Sequence, residues 1–107
     1  MYRLFISQPM KDKTNEEIEA VRTNAIYLVA KALKTDVENI HVIDSFFKDA
    51  PHDAKPLWYL GESLKLLAEA DVAYFAEGWE KYRGCKIEYT CAKEYGIETI
   101  IMTHEVE

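Results

Sequence analysis

Asp71-Val72-Ala73-Tyr74-Phe75-Ala76, the loop Glu77-Gly78-Trp79-Glu80-Lys81-Tyr82-Arg83, then Gly84-Cys85-Lys86-Ile87-Glu88-Tyr89-Thr90-Cys91-Ala92-Lys93-Glu94-Tyr95, and after Gly96 the run Glu98-Thr99-Ile100-Ile101-Met102: this stretch reads as strand, loop, helix, strand. The short runs are apolar, rich in aromatic or β-branched residues, and bounded by turn residues, as strands are. Gly96 supplies the stop that helices commonly take just past their last turn. Two strands joined through a helix lie parallel, which makes the unit βαβ and the fold class α/β.

Working outward, the same alternation fills the rest of the chain. Tyr2 to Ser7 is a first strand, ended by Pro9 and the polar run Gln8 to Lys13. Thr14 with Glu17 three residues later forms a capping box. Ile18, Val21, Ala25, Leu28, Val29, Ala32 and Leu33 then recur at helical spacing, so a first helix is predicted to about Lys34. Glu16, Glu17 and Glu19 give it an acidic, dipole-favoured, solvated start.

Asn39 to Ile43 is a second strand, and Asp44 to Pro56 a longer connection carrying Phe46, Phe47 and Pro51. Leu57 to Ala70 is a second helix, with Leu57, Leu60, Leu64 and Leu67 on one face and Glu62, Lys65 and Glu69 on the other. Four strands and three helices in this order predict a single Rossmann-like (flavodoxin-like) domain over residues 1–107. Its four-stranded parallel sheet has the order 2-1-3-4, with right-handed crossovers. Ligands of such sheets sit at the carboxyl ends of the strands, where strand order reverses.

The bulk numbers narrow the function classes. With 107 residues, 49% hydrophobic and 30% charged, the chain suits one folded domain rather than a disordered segment. A formal net charge of −6 argues against a nucleic-acid polymer as partner, although a single nucleotide needs only a few local donors. No apolar run approaches the ~20 residues that span a bilayer, so no membrane partner is expected. Met1-Tyr2-Arg3-Leu4-Phe5 enters a strand at once, without signal-peptide architecture, and a cytoplasmic location is expected. Cys85 and Cys91 lack the C-x-x-C form and read as small buried hydrophobes. His41, His52 and His104 are scattered, so no metal site is expected. No Walker-type loop and no G-x-G-x-x-G occurs, so neither triphosphate hydrolysis nor dinucleotide hydride transfer is supported, and no cofactor is expected.

One side chain breaks the pattern. In the third helix Lys86, Thr90, Lys93 and Glu94 share one side, and Gly84, Ile87, Cys91, Ala92 and Tyr95 the other. Glu88 lies near the middle of that apolar arc. An unpaired buried carboxylate costs several kcal/mol, roughly, so a chain that keeps one pairs it or uses it. Glu88 is either a partner for Arg83, Lys86 or a tyrosine, or a catalytic group able to attack an anomeric carbon.

The other candidates gather at the same ends of the strands. The loop Ser7, Gln8, Pro9 and Met10 faces the crevice, as does Asp44, which either accepts from ribose hydroxyls or caps a turn. Gly84 either lets a ligand approach or lets helix and sheet pack closely, and Arg83 adds a positive charge beside the helix N-terminus. Trp79 and Tyr82 either stack on a base or pack on their own domain. Ser63, on the flank of the second helix's apolar face, bonds either backbone or ligand.

Several segments, in order, resemble a known group of proteins: Phe5-Ile6-Ser7-Gln8-Pro9-Met10, Ile43-Asp44-Ser45-Phe46-Phe47, Leu60-Gly61-Glu62-Ser63-Leu64, Ala70-Asp71-Val72-Ala73-Tyr74-Phe75, and Gly78-Trp79-Glu80 with Arg83-Gly84-Cys85-Lys86-Ile87-Glu88. They look like a small family, frequent in phages and prophages, that is similar to nucleoside 2-deoxyribosyltransferases. The resemblance covers nearly the whole chain. It implies a glutamate nucleophile at Glu88 and a nucleoside or nucleotide as partner. It also implies phosphate contacts from Ser7, Gln8, Arg83 and Gly84, and a homo-oligomer. Phe5 and Ser63 stand where those enzymes carry a tyrosine and an aspartate. The resemblance therefore implies either N-glycosidic cleavage or deoxyribosyl transfer, or a module that binds nucleotide without cleaving it.

Overall fold

The structure, a computed structural model, describes residues 1–47 and 49–101. Its strands are β1 (Tyr2–Ser7), β2 (Ile40–Val42), β3 (Val72–Phe75) and β4 (Glu98–Ile101); its helices are α1 (Asn15–Leu33), α2 (Pro56–Leu67) and α3 (Arg83–Glu94). All neighbours in the sheet are parallel and the order is β2-β1-β3-β4. The α/β architecture, strand order and helix count expected from the sequence are all present.

The Leu4–Ile6 run of β1 and all of β3 are buried because each strand has helix on both faces, so these side chains are apolar without interruption. Side chains alternate across the sheet. Leu4, Ile6, Val72 and Tyr74 face α1, where they meet Ala25, Val29 and Ala30. Phe5, Ala73 and Phe75 face the other way, against Leu67 of α2 and Ala92 of α3. Phe5, Phe75, Leu4 and Ile6 are all under 3% exposed, and each such side chain contributes about 1.5–3 kcal/mol of burial.

α1 begins with the capping box read from the sequence: Thr14 Oγ1 accepts the Glu17 N–H at 3.0 Å, and Glu17 Oε1 accepts the Thr14 N–H at 2.8 Å. α2 has Pro56 in its first turn, where a missing N–H costs nothing. Gly78 adopts φ 87°, and a Cβ there would sit 3.6 Å from the Pro9 ring, so the β3–α3 loop lies against the β1–α1 loop.

Several expectations need correcting in detail. β2 spans only three residues, because a 3-10 turn at Val37–Asn39 takes its predicted start. α2 ends at Leu67 rather than Ala70, and Leu57 is 75% exposed because it precedes the part of the helix that reaches the sheet. On α1, Val21 and Ala32 are exposed, and the buried arc is Ile18, Arg22, Ala25, Val29 and Ala30. On α3, Ile87 and Tyr95 are exposed, so the buried face turns toward Cys85, Glu88 and Ala92. Met102 and His104 lie outside the described residues. Among those residues no helix is long and apolar enough to cross a membrane.

Candidate active site

Alternation decides which way Ser7 points. It closes β1 with the parity of Phe5, so its hydroxyl faces the α2–α3 layer. There α3 brings Glu88 down, one turn after Gly84 and Cys85. Ser7 Oγ donates to Glu88 Oε1 at 2.6 Å, a charge-assisted distance. Both groups are buried, Ser7 at 2% and Glu88 at 8% exposure.

Burial pushes the Glu88 carboxyl above its usual range, and the Ser7 and Ser63 hydroxyls pull partly the other way by favouring the charge. The ion pairs of Arg3 with Glu69 and of Lys65 with Glu62 lie elsewhere and do not involve Glu88. The pairing with Arg83 or Lys86 that the sequence left open is not what holds the carboxylate; a serine is. Next to it the Cys85 thiol is pushed up to about 11, mainly by burial, and therefore stays protonated.

Glu88 lines a hollow of about 420 Å³ at the carboxyl end of β1, between α2 and the start of α3. That is the size of a small-molecule site. One wall is the β1 end and its loop, with Phe5, Ser7, Gln8, Pro9 and Met10; the opposite wall is Ser63 and Leu60 of α2. Phe46, Phe47 and Tyr59 close the outside, and Tyr82, Gly84 and Cys85 sit beside the carboxylate. Phe47, Trp58 and Tyr59 hold one another by edge-on and tilted contacts of 5.1–6.4 Å, which stiffens that outer wall. Among the described residues Glu88 is the one carboxylate that lines this hollow, and no described lysine or arginine joins it.

Gly84 settles one of the open alternatives. A Cβ at that position meets nothing within 4 Å, so the glycine is not there to let helix and sheet pack closely. It leaves room beside Glu88. No side chain caps α3, so the first N–H groups of the helix have no intrahelical acceptor and lie at the rim of the same space.

Three sequence candidates are not brought into the hollow. Trp79 packs 5.4 Å from Phe75 and 4.7 Å from Tyr89 between rings, and so belongs to the core beneath α3. Asp44 and Arg83 are exposed and off the lining. Their neighbours Ser45 and Gly84 take the inward positions instead. Ser7, Gln8, Pro9, Met10, Ser63, Tyr82, Gly84 and Glu88 do converge.

Arg22, which is not among the sequence candidates, also belongs to the framework of the site. It is 7% exposed, on the α1 face shared with Ile18, Ala25 and Val29. Its guanidinium donates to Gln8 Oε1 at 3.0 Å, to the Ile43 carbonyl at 3.0 Å and to Ser45 Oγ at 3.2 Å. Gln8 is held from its other end by Nε2 donating to the Ile18 carbonyl at 3.2 Å. One buried cation thus ties the loop after β1 to the segment after β2. Desolvation lowers its pKa, and Glu19 and Asp44 oppose that effect. A charged residue within an apolar helical arc is the signal that marked Glu88, and it marks Arg22 equally.

A second hollow of about 480 Å³ lies across the Pro9–Tyr82 wall, floored by Tyr74 and Ala76 and bordered by α1. Among the described residues no group of three or more histidine, cysteine or acidic side chains is placed to hold a metal ion. Comparison with known proteins found no matching family model, no matching curated protein and no matching solved structure.

Proposed function

We propose that the chain acts on the N-glycosidic bond of a nucleoside or nucleotide, by cleavage or deoxyribosyl transfer, with Glu88 as nucleophile. The observation that carries the reading is a buried carboxylate held by a serine hydroxyl, with no ion pair to a cation among the described residues, and opening on a hollow of ligand size. The Ser7 and Ser63 hydroxyls orient the carboxylate, and an oxygen of Glu88 faces the hollow for the sugar.

In this reading a carboxylate oxygen of Glu88 attacks C1′ and the C1′–N bond breaks. The bonding pair leaves on the base nitrogen, which takes a proton from solvent. An ester between Glu88 and C1′ results. Water or the N–H of a second base then attacks C1′, the C1′–O bond to Glu88 breaks, the carboxylate returns, and the nucleophile's proton goes to solvent. Tyr82, Phe46 and Phe47 offer ring faces and edges for the base, in the place expected for Trp79. Ser45 accepts from Arg22, so its own O–H is free to donate toward a sugar oxygen.

A phosphate, if the ligand carries one, would meet the open first turn of α3 at Gly84; Arg83 contributes charge from outside. The test is incubation of the protein with deoxynucleosides and their monophosphates, with chromatography for free base. Release by the wild type, reduced at least ~1000-fold in Glu88→Ala, supports the reading. Equal release by both proteins contradicts it.

The second reading, a module that binds the same ligand intact, is favoured by a specific feature. Phe5 and Ser63 line the hollow and neither carries a titratable proton, so Glu88 acts without a second carboxyl. In that case ligand raises the melting temperature and is recovered uncleaved.

A further inference from the structure

We propose that α1 is the contact between two copies of this chain, packed antiparallel about a two-fold axis at Asn24. The inference is independent of the glycosidic reading. At ~100° per residue, Glu17, Ala20, Val21, Asn24, Tyr27, Leu28 and Lys31 fall within an arc of about 120°. That arc lies away from the buried side of α1; Leu28 at its edge also packs against the domain's own core, while Tyr27 is 61% exposed and Val21 36% exposed. Two such apolar side chains on one exposed stripe are more than the helix needs for its own domain.

The order of residues in the stripe is what identifies the occupant. Counted from Asn24, Glu17 and Lys31 stand at equal distances, as do Val21 and Tyr27, and Ala20 and Leu28. In a two-fold antiparallel pair a residue before the centre meets the one equally far after it. Glu17 of each copy then meets Lys31 of the other, and Val21 meets Tyr27. Ala20 leaves space for Leu28, and Asn24 meets itself. A parallel pair, or a different register, would set Glu17 against Glu17 or leave the charges unmatched. A polar asparagine within a helical seam is a known device for fixing register.

The surroundings fit a partner helix. Glu17, Val21 and Asn24 also border the second hollow, so a second α1 laid along the stripe covers the mouth of that space above Tyr74. α1 has 19 residues, a length of about 28 Å. One helix seam of that length falls at the low end of stable interfaces, so a dimer with Kd on the order of micromolar is expected rather than a permanent one.

The experiment is sedimentation equilibrium of the full chain between about 5 and 500 µM, with two sets of variants. The wild type is expected to move toward twice the 12.4 kDa chain mass as concentration rises. Glu17→Lys and Lys31→Glu, each alone, should weaken the dimer about tenfold, and the double exchange should restore it to within about threefold. Asn24→Cys should cross-link to itself on mild oxidation, whereas Thr23→Cys, on the solvent side of the helix, should not. The cross-linking arm tests the register without altering the Thr14–Glu17 cap. A mass of one chain throughout, a dimer indifferent to both charge reversals, or equal cross-linking at positions 23 and 24 would each overturn the proposal.

Discussion

Glu88 and Arg22 are the two residues on which the site depends, and both place an ionisable group inside the protein. For Glu88 the sign of the pH effect follows from burial. Its carboxyl is raised in the folded state, so the folded protein favours the neutral form. The stability that this contributes is full below the unfolded value and is lost as pH rises through the higher folded value. Glu88→Gln is therefore expected to raise stability at pH 7.5 by about 0.5–2 kcal/mol, read as a higher melting temperature. The gain should shrink as the pH is lowered toward 4. A variant less stable than wild type at pH 7.5 would show that the carboxylate is structural. Activity runs the opposite way, because attack needs the ionised form: rates should fall as pH drops through the raised value.

Arg22 gives the complementary prediction. Arg22→Met strands the Gln8 amide oxygen, the Ile43 carbonyl and the Ser45 hydroxyl, at a cost of about 1–3 kcal/mol, measurable by urea denaturation. An unchanged midpoint would mean that these contacts are not what joins the two loops. At this scale the sequence was informative where a charge interrupts an apolar arc, as at Glu88. It was uninformative about which neighbour answers that charge, since Ser7 is 81 positions away. The inward turn of Ser45 rather than Asp44 depends on one residue of strand parity, which a three-residue β2 leaves undetermined until β1 pairs with it.

At the scale of elements, α1 was the most legible, because Thr14 and Glu17 declare its start and the apolar spacing carries it to Leu33. α2 and α3 were placed correctly and rotated slightly wrongly. Leu57, Ile87 and Tyr95 match helical spacing and yet lie outside the contact with the sheet, since each of these helices touches it over only part of its length. Trp79 misled for a related reason. It sits in a polar loop, but the 3-10 turn at Trp79–Lys81 folds it back between Phe75 and Tyr89.

Gly84 supplies the test that belongs here. It occupies the first turn of α3 with open space beyond its α-carbon. Gly84→Ala should stabilise the fold by up to about 1 kcal/mol through helix propensity, while weakening ligand binding by narrowing the space beside Glu88. Loss of stability with unchanged binding would reverse the assignment.

At the scale of the molecule, parallel strands joined through helices left few topologies open, and the 2-1-3-4 order followed from them. The order places a crevice where the chain leaves β1, and the hollow is found there, bounded beyond by the start of α3. What the order does not convey is which loop side chains enter that space, and the outer wall of Phe46, Phe47 and Tyr59 is set by tertiary contacts rather than local pattern.

The central claim, that Glu88 is a nucleophile toward a glycosidic carbon, is tested most directly by trapping. Purified protein is mixed with a panel of deoxynucleosides and their monophosphates, quenched in acid, and examined by intact mass and by chromatography for free base. The account predicts free base from at least one member and a sugar-sized mass increase on the wild type, with both absent from Glu88→Ala. Intact ligand and unmodified protein across the whole panel, or base released equally by Glu88→Ala, would contradict it.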